Sequence, residues 1–235
     1  MSAHGARGPG RLHAVVFLDG EYGDPAWYRA LASDADIVIA ADGGGAFLFA
    51  LHLTPHAVVG DFDSLDEDIA AAFDERGVAM LRHPVRKDVT DGELAADVAL
   101  RRGAGRVTLA GATGALDHTL GHLAILRRLV ARGIAARLAS PDLAVTVLTA
   151  PVDVTLGAPA GVRVSLAPLG ADAEVSLSGL DYPLDHGLLE ATACLGLGNL
   201  VTRPHGARVV VHSGSVVALV GWGDEQFAGH RRGSA

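Results

Sequence analysis

Hydrophobic positions in the first half of the chain follow two alternating patterns. Short apolar runs rich in β-branched residues alternate with longer segments in which apolar residues recur at helical spacing. This alternation is typical of a mostly parallel sheet covered by helices. It predicts strands over 13–18, 36–40, 57–59, 78–81, 106–110 and 136–139, and helices over 25–33, 46–51, 66–76, 91–102 and 117–132.

The pattern changes after Pro141. From there the chain has short alternating runs separated by Gly and Pro, typical of antiparallel strands, over 162–166, 174–177, 207–211 and 216–220. The fold class predicted is therefore α/β: a mostly parallel α/β domain over 11–142, followed by an all-β sandwich domain over 143–223. The polar segments outside these limits are assigned to neither domain.

The composition and net charge limit the classes of protein to which the chain can belong. The chain has 235 residues, of which 49% are hydrophobic and 20% charged, as expected of a compact globular protein. A formal net charge of −8 argues against a nucleic-acid surface. The single cysteine, Cys194, allows neither an internal disulfide nor a cysteine-based zinc cluster. With no membrane-spanning apolar segment, we expect a cytoplasmic protein.

Aspartates follow two of the predicted strands. Asp42 precedes Gly43 and Gly44, and a second strand runs into Asp61 and Asp63. In open α/β sheets ligands bind at this edge. If the second segment is extended, its two carboxylates point to the same side and repel each other, and Mg²⁺ would offset that repulsion. The alternative is an Asx-type turn that leads into the next helix.

A third acidic segment opens the helix predicted over 91–102. It reads Lys87, Asp88, Val89, Thr90 and Asp91, and Lys87 is the only lysine among 19 basic residues. A compact cation beside aspartates at a helix start suits a phosphate held together with a metal. The alternative is that Thr90 or Asp91 only caps the helix.

A glycine-bearing loop, GATGALDHT, connects a predicted strand to the helix over 117–132. Asp117 could contact a ligand there or simply cap the helix. His118 and His122 have the spacing of a zinc-binding pair, but no third ligand is evident and no zinc site is predicted. The sequence has neither a Walker-type phosphate loop nor a nucleophile-elbow motif, which leaves metal-centred chemistry.

Together these motifs resemble, in order, those of the thiamine pyrophosphokinase family. The matching segments are ADGG at 41–44, GDFDS at 60–64, KDVTD at 87–91, LDHTL at 116–120 and SLSGLDYPLDHGLL at 176–189. The resemblance covers residues 13–220. It implies a homodimeric, Mg²⁺-dependent enzyme that converts ATP and thiamine to thiamine diphosphate and AMP, on an α/β domain followed by a β-sandwich.

The resemblance also implies roles for individual residues. Three aspartates would hold Mg²⁺ and the triphosphate and carry the catalysis: Asp61, Asp63 and Asp91. Other residues would line the ATP site: Asp42, Gly43, Gly44, Lys87, Asp88, Thr90, Asp117 and His118. Thiamine would be contacted from the second subunit of the dimer by Gly198, Asn199 and Trp222.

The chain departs from the family pattern at two places. The loop GATGALDH is one residue shorter than usual and lacks an arginine before Leu116; Arg82 and Arg106 are the candidates to replace it. Gly198 stands where the family tends to have serine. Two alternatives therefore stay open: a pyrophosphokinase for another hydroxyalkyl heterocycle, such as a pterin, and a catalytically weak nucleotide- or thiamine-binding homologue.

Overall fold

A computed structural model describes residues 11–83, 89–204 and 206–221 of the chain. It divides into two compact units, which meet along the sequence at Pro141 and Asp142. Among the described residues, none of the helices combines the length and the apolar character that crossing a membrane requires.

The first unit is a parallel sheet with helices between its strands. The strands are β1 (Leu12–Phe17), β2 (Ile37–Ala41), β3 (Ala57–Gly60), β4 (Ala79–Arg82), β5 (Ala104–Ala110) and β6 (Ala135–Ala139). The helices are α1 (Pro25–Ser33), α2 (Gly44–Ala50), α3 (Glu67–Glu75), α4 (Asp91–Arg101) and α5 (Leu116–Ala131). The strands lie in the order β6, β5, β1, β2, β3, β4, and each pair is parallel. The α/β architecture predicted for this half is confirmed.

Local signals explain where several helices begin. The Asp24 carboxylate accepts a hydrogen bond from the Ala26 backbone N–H, and Pro25 occupies the first turn of α1. The Asp66 carboxylate accepts from the Asp68 N–H in the same way at the start of α3. These caps satisfy backbone donors that have no partner within the helix, so each helix start is specified locally.

In open α/β sheets, ligands bind at the edge formed by the carboxyl ends of the parallel strands. Strands β1, β2 and β3 are almost entirely buried, with Val15, Phe17 and Val58 in one apolar cluster together with Tyr28 and Phe73. Burial of this cluster fixes the strands in the sheet. The segments that leave their carboxyl ends therefore meet at one edge.

The second unit consists of two antiparallel sheets. Its strands are β7 (Leu143–Thr149), β8 (Val152–Leu156), β9 (Arg163–Pro168), β10 (Ala173–Ser178), β11 (Leu184–Leu189), β12 (Asn199–Leu200), β13 (Ala207–Ser213) and β14 (Ser215–Gly221). One sheet has the order β12, β9, β14, β7 and the other β11, β10, β13, β8. A single apolar cluster takes side chains from both, including Val164 and Val216 from one and Val175 and Val209 from the other. The unit is a β-sandwich, as predicted.

Candidate active site

Three carboxylates converge at the carboxyl edge of the parallel sheet. Asp42 follows β2, Asp61 follows β3, and Asp91 is the first residue of α4. One oxygen from each of these side chains lies within 4.8 Å of the others. The parallel pairing of Ala41 with Val59 brings the first two aspartates to the same edge. We call Asp42, Asp61 and Asp91 the three-carboxylate group. Asp61 and Asp91 were predicted to hold the metal, whereas Asp42 was predicted to line the ATP site.

Asp42 is the buried member of the group. Its side chain is 8% exposed, and its Oδ1 atom has no hydrogen-bond partner within the described part of the chain. Burial raises the pKa of the Asp42 carboxyl to about 6, and the Ser64 hydroxyl opposes part of this rise. The charges of Asp61, Asp63 and Asp91 raise the pKa further. A buried carboxylate oxygen without a donor, surrounded by like charges, is suited to a bound cation.

The donor set of the group fits Mg²⁺. Mg²⁺ is a hard cation that takes oxygen ligands and is commonly held by one or two carboxylates together with substrate phosphates. Asp42, Asp61 and Asp91 offer carboxylate oxygens only. A softer metal that prefers sulfur or imidazole has no such ligands in this group.

The GDFDS segment does not run extended. Phe62 has φ 67°, in the left-handed region, and the Asp63 N–H donates a hydrogen bond to Asp61 Oδ1 at 3.1 Å. The assumption that both carboxylates point to the same side of an extended strand is therefore wrong, because the chain turns at Phe62 and forms the Asx-type turn instead. Asp63 is exposed and lies outside the three-carboxylate group, although its charge acts on Asp42. Its role as a metal ligand stays a prediction.

Gly43 and Gly44 allow a close approach of chain segments beside Asp42. A Cβ atom on Gly44 would lie 2.2 Å from the carbonyl oxygen of Phe17, and one on Gly43 would lie 2.3 Å from Oδ1 of Asp19. A side chain on Gly44 would displace the backbone at the end of β1, and one on Gly43 would displace the Asp19 carboxylate.

Asp19 is a residue that the sequence analysis missed. Its exposed carboxylate lies against Gly43, at the same edge as the three-carboxylate group. The signal was available: Asp19 and Gly20 come one residue after the end of β1, and Asp42 and Gly43 come directly after β2.

The structure places Val89, Thr90 and Asp91 of the KDVTD segment at the start of α4. Thr90 forms a capping box with Glu93: the Glu93 N–H donates to Thr90 Oγ1 at 3.2 Å, and the Thr90 N–H donates to Glu93 Oε2 at 2.9 Å. Thr90 is therefore the helix cap, and its predicted contact with ATP remains open. Lys87 and Asp88 lie outside the described residues.

The GATGALDH segment comprises the loop between β5 and α5 and the first three residues of α5. Ala115 occupies the cap position of α5 without a side-chain hydrogen bond, and Asp117 lies in the first turn. Asp117 is therefore not the N-cap, and its Oδ1 accepts a hydrogen bond from the His118 N–H at 2.9 Å. His118 is exposed, and its ring centroid lies 6.3 Å from that of His122. In the described ranges neither histidine belongs to a metal-binding group.

Only one of the two candidate replacement arginines reaches the GDFDS segment. Arg82 ends β4, and its Cζ atom lies 4.9 Å from the centroid of the Phe62 ring, a cation–π contact. Arg106 pairs with His13 near the amino end of β5, at the opposite end of the strands. Arg106 is therefore not at the site.

The residues predicted to contact thiamine lie in the second unit. Asn199 is 6% exposed, and its side chain is committed to the backbone: Oδ1 accepts from the N–H groups of Tyr182 and Leu200, both at 3.0 Å, and Nδ2 donates to the Tyr182 carbonyl at 2.8 Å. Gly198 has φ 73°, which favours glycine over the serine expected there. Trp222 lies outside the described residues.

Comparison with known proteins identifies the family. The model for "Thiamin pyrophosphokinase, catalytic domain" matches residues 28–138. Thiamine pyrophosphokinase of Bacillus subtilis (strain 168) is 30% identical over 162 residues, which are 67% of this chain and 75% of that protein. The chain belongs to the thiamine pyrophosphokinase family. Membership implies a kinase-type transferase, and the family predicted from the motifs is confirmed.

Solved structures of thiamine pyrophosphokinases share the fold. The Bacillus subtilis structure has a TM-score of 0.79 at 22% identity and covers 90% of this chain and 100% of its own. The Candida albicans structure has a TM-score of 0.79 at 15% identity and covers 90% of both chains. The yeast structure has a TM-score of 0.75 at 13% identity, covering 92% of this chain and 87% of its own. At these identities the similarity shows the fold.

Proposed function

We propose that this chain transfers the diphosphate group of ATP to the hydroxyl of thiamine, giving thiamine diphosphate and AMP. The observation that carries the proposal is the three-carboxylate group with the partnerless Oδ1 of Asp42, in a chain of this family. The diphosphotransferase reaction needs a metal-held triphosphate, and these oxygens suit that task. A pterin or another heterocycle as acceptor is not favoured by the comparisons.

The chain's own residues would bind and orient the reactants. Asp42, Asp61 and Asp91 would hold Mg²⁺, with Asp63 as a further candidate. When bound, Mg²⁺ supplies charge neutralisation and polarises phosphate oxygens. Gly43, which packs against Asp19, and the loop at 111–115 would lie beside the triphosphate.

The reaction would depend on how thiamine and ATP are positioned relative to each other. With the hydroxyl of thiamine held in line with the β-phosphorus, its oxygen forms the new bond to phosphorus, the bond to the α-phosphate oxygen breaks, and AMP leaves. A carboxylate at this edge accepts the hydroxyl proton. Because the attacked atom is the β-phosphorus, AMP is the product that distinguishes this reaction from ordinary γ-phosphoryl transfer.

The test is ATP consumption with Mg²⁺ and a panel of alcohols that includes thiamine and a hydroxymethyl pterin. We expect AMP to form with thiamine and not with the pterin. Formation of ADP, or no turnover with any member of the panel, would contradict the proposal. AMP formed only with the pterin would assign a different acceptor to the same chemistry.

A homodimer is part of the proposal. The second unit exposes Tyr182, Leu188, Leu195 and Leu197, which are 68%, 51%, 63% and 52% exposed. Large exposed apolar side chains such as these support an interface with another subunit. Thiamine contacts by Gly198, Asn199 and Trp222 would come from that second subunit.

A further inference from the structure

His122, on α5, connects two segments of the candidate active site. Its Nδ1 atom lies 2.8 Å from the carbonyl oxygen of Ala112, in the GATGALDH loop. A carbonyl oxygen can only accept, so Nδ1 carries the hydrogen and donates it. Burial lowers the pKa of His122; the hydrogen bond to Ala112 raises it, and the charge of His118 lowers it. The neutral ring with its proton on Nδ1 is thereby favoured.

The other edge of the same ring faces the start of α4. A Cβ atom on Gly92 would lie 3.9 Å from Cδ2 of His122, 3.1 Å from Leu18 Cδ2 and 3.3 Å from Ile125 Cδ1. Gly92 therefore lets the first turn of α4 pack closely against α5. Gly92 directly follows Asp91, a member of the three-carboxylate group.

The loop at 111–115 is held from two sides. Gly111 and Gly114 have φ values of 64° and 133°, and Ala115 provides no side-chain cap to α5. The Glu21 N–H donates to the Thr113 carbonyl at 2.9 Å, which holds the loop from the β1 side. From the α5 side, the Ala112 carbonyl is held by His122.

We propose that His122 is a positioning residue that fixes the loop at 111–115 relative to the Asp91 turn of α4. This inference rests on the proposed function, in which the loop and the three-carboxylate group hold the same triphosphate. The donor on Nδ1 does the positioning, through Ala112. Loss of the donor lets the loop move away from the carboxylates, so nucleotide binding weakens while the carboxylates themselves are unchanged.

Three substitutions at His122 distinguish the effect of the Nδ1 donor from the effect of the rest of the ring. His122→Asn keeps an N–H donor at the position of Nδ1, His122→Gln places its donor at the position of Nε2, and His122→Leu has none. We expect the affinity for a non-hydrolysable ATP analogue, measured by calorimetry with Mg²⁺, to fall about tenfold in the Leu and Gln variants. In the Asn variant it should stay within about twofold of the wild type. The KM for ATP should follow the same order, with kcat changed less.

Arg127→Leu is the matched control, since Arg127 is an exposed residue of the same helix. If the wild type forms no AMP, the proposed function fails. If the wild type forms AMP but the Leu variant binds the analogue as tightly as the wild type, the inference about His122 is overturned. An Asn variant as weak as the Leu variant also overturns it, because a donor at the Nδ1 position would then not be what holds the loop. If His122→Leu does not fold, equal affinities of the Asn and Gln variants contradict the proposal.

Discussion

At the scale of single residues, the Asp42 carboxyl has a higher pKa in the folded chain than in the unfolded chain. Its pKa rises from 3.8 to about 6 on folding, chiefly through burial. The folded state therefore binds the proton of Asp42 more tightly than the unfolded state does. The contribution of Asp42 to the free energy of unfolding is fully present below pH 4 and is lost as the pH rises through 6.

A pH dependence of stability follows. Without metal, we expect a higher urea midpoint at pH 5 than at pH 7.5, and Asp42→Asn should reduce this difference. Added Mg²⁺ should raise the midpoint at pH 7.5, because a bound cation offsets the repulsion that a proton offsets at low pH. A midpoint insensitive to both pH and Mg²⁺ would contradict this account of Asp42.

Asp61 and Asp63 can be compared directly, since they flank the same turn. Asp61→Asn should lower turnover about a thousandfold, because it removes several kcal/mol of charge stabilisation from the metal site. Asp63→Asn should have a smaller effect, since its carboxylate lies outside the three-carboxylate group. Turnover is measured as AMP formed from ATP and thiamine, with the circular dichroism spectrum as a check on folding. Near-normal turnover of both variants would rule out the site.

At the scale of elements, the short GATGALDH loop lacks a positive charge that the family usually carries. Glu21 packs beside Gly114 of this loop, where a Cβ would lie 3.2 Å from the Glu21 Cγ atom. Arg82 reaches the GDFDS segment, where its guanidinium is held over Phe62. The loop therefore has an acidic neighbour on the β1 side.

Replacing Ala115 with Gly-Arg restores the family pattern. A charge-assisted hydrogen bond to phosphate is worth about 1.5–3 kcal/mol, so the KM for ATP should fall about ten- to a hundredfold. Replacing Ala115 with Gly-Gln gives the same loop length without the charge and serves as the control. An unchanged or higher KM in the arginine variant would mean that another group already compensates the triphosphate.

At the scale of the whole molecule, the proposed dimer depends on the second unit. Leu195 and Leu197 are exposed in the segment before β12, close in sequence to Gly198 and Asn199. Light scattering at micromolar concentration with ATP, Mg²⁺ and thiamine should give twice the chain mass of 24.1 kDa. An isologous two-fold interface is the commonest arrangement for soluble homo-oligomers.

Leu195→Asp should shift this equilibrium toward the monomer, because a charge would be buried at the interface. Leu116→Asp, at an exposed leucine of the first unit, is the comparison. A wild-type species of one chain mass under these conditions would exclude the dimer.

The elements of the first unit were predictable because each depends on local patterns. A fully buried parallel strand is a continuous apolar run, and its helices begin at caps such as Asp24 and Asp66, so neighbouring residues define both. In the second unit, in contrast, β7, β8, β11 and β12 were not among the predicted strands, and β11 shows one reason. It is largely exposed and irregular, with His186 in a left-handed conformation, and so lacks clear alternation.

The sequence by itself determined the family, the fold class and the presence of aspartates at strand ends. Only the tertiary structure decided which carboxylates converge: Asp42 joins Asp61 and Asp91, while the turn at Phe62 leaves Asp63 outside. It also decided that the Asn199 amide is engaged by backbone and that His122 holds Ala112. The physical reason is that periodicity and capping act between near neighbours. Burial, repulsion between charges and side-chain hydrogen bonds depend on groups that are distant along the chain and meet only when it folds.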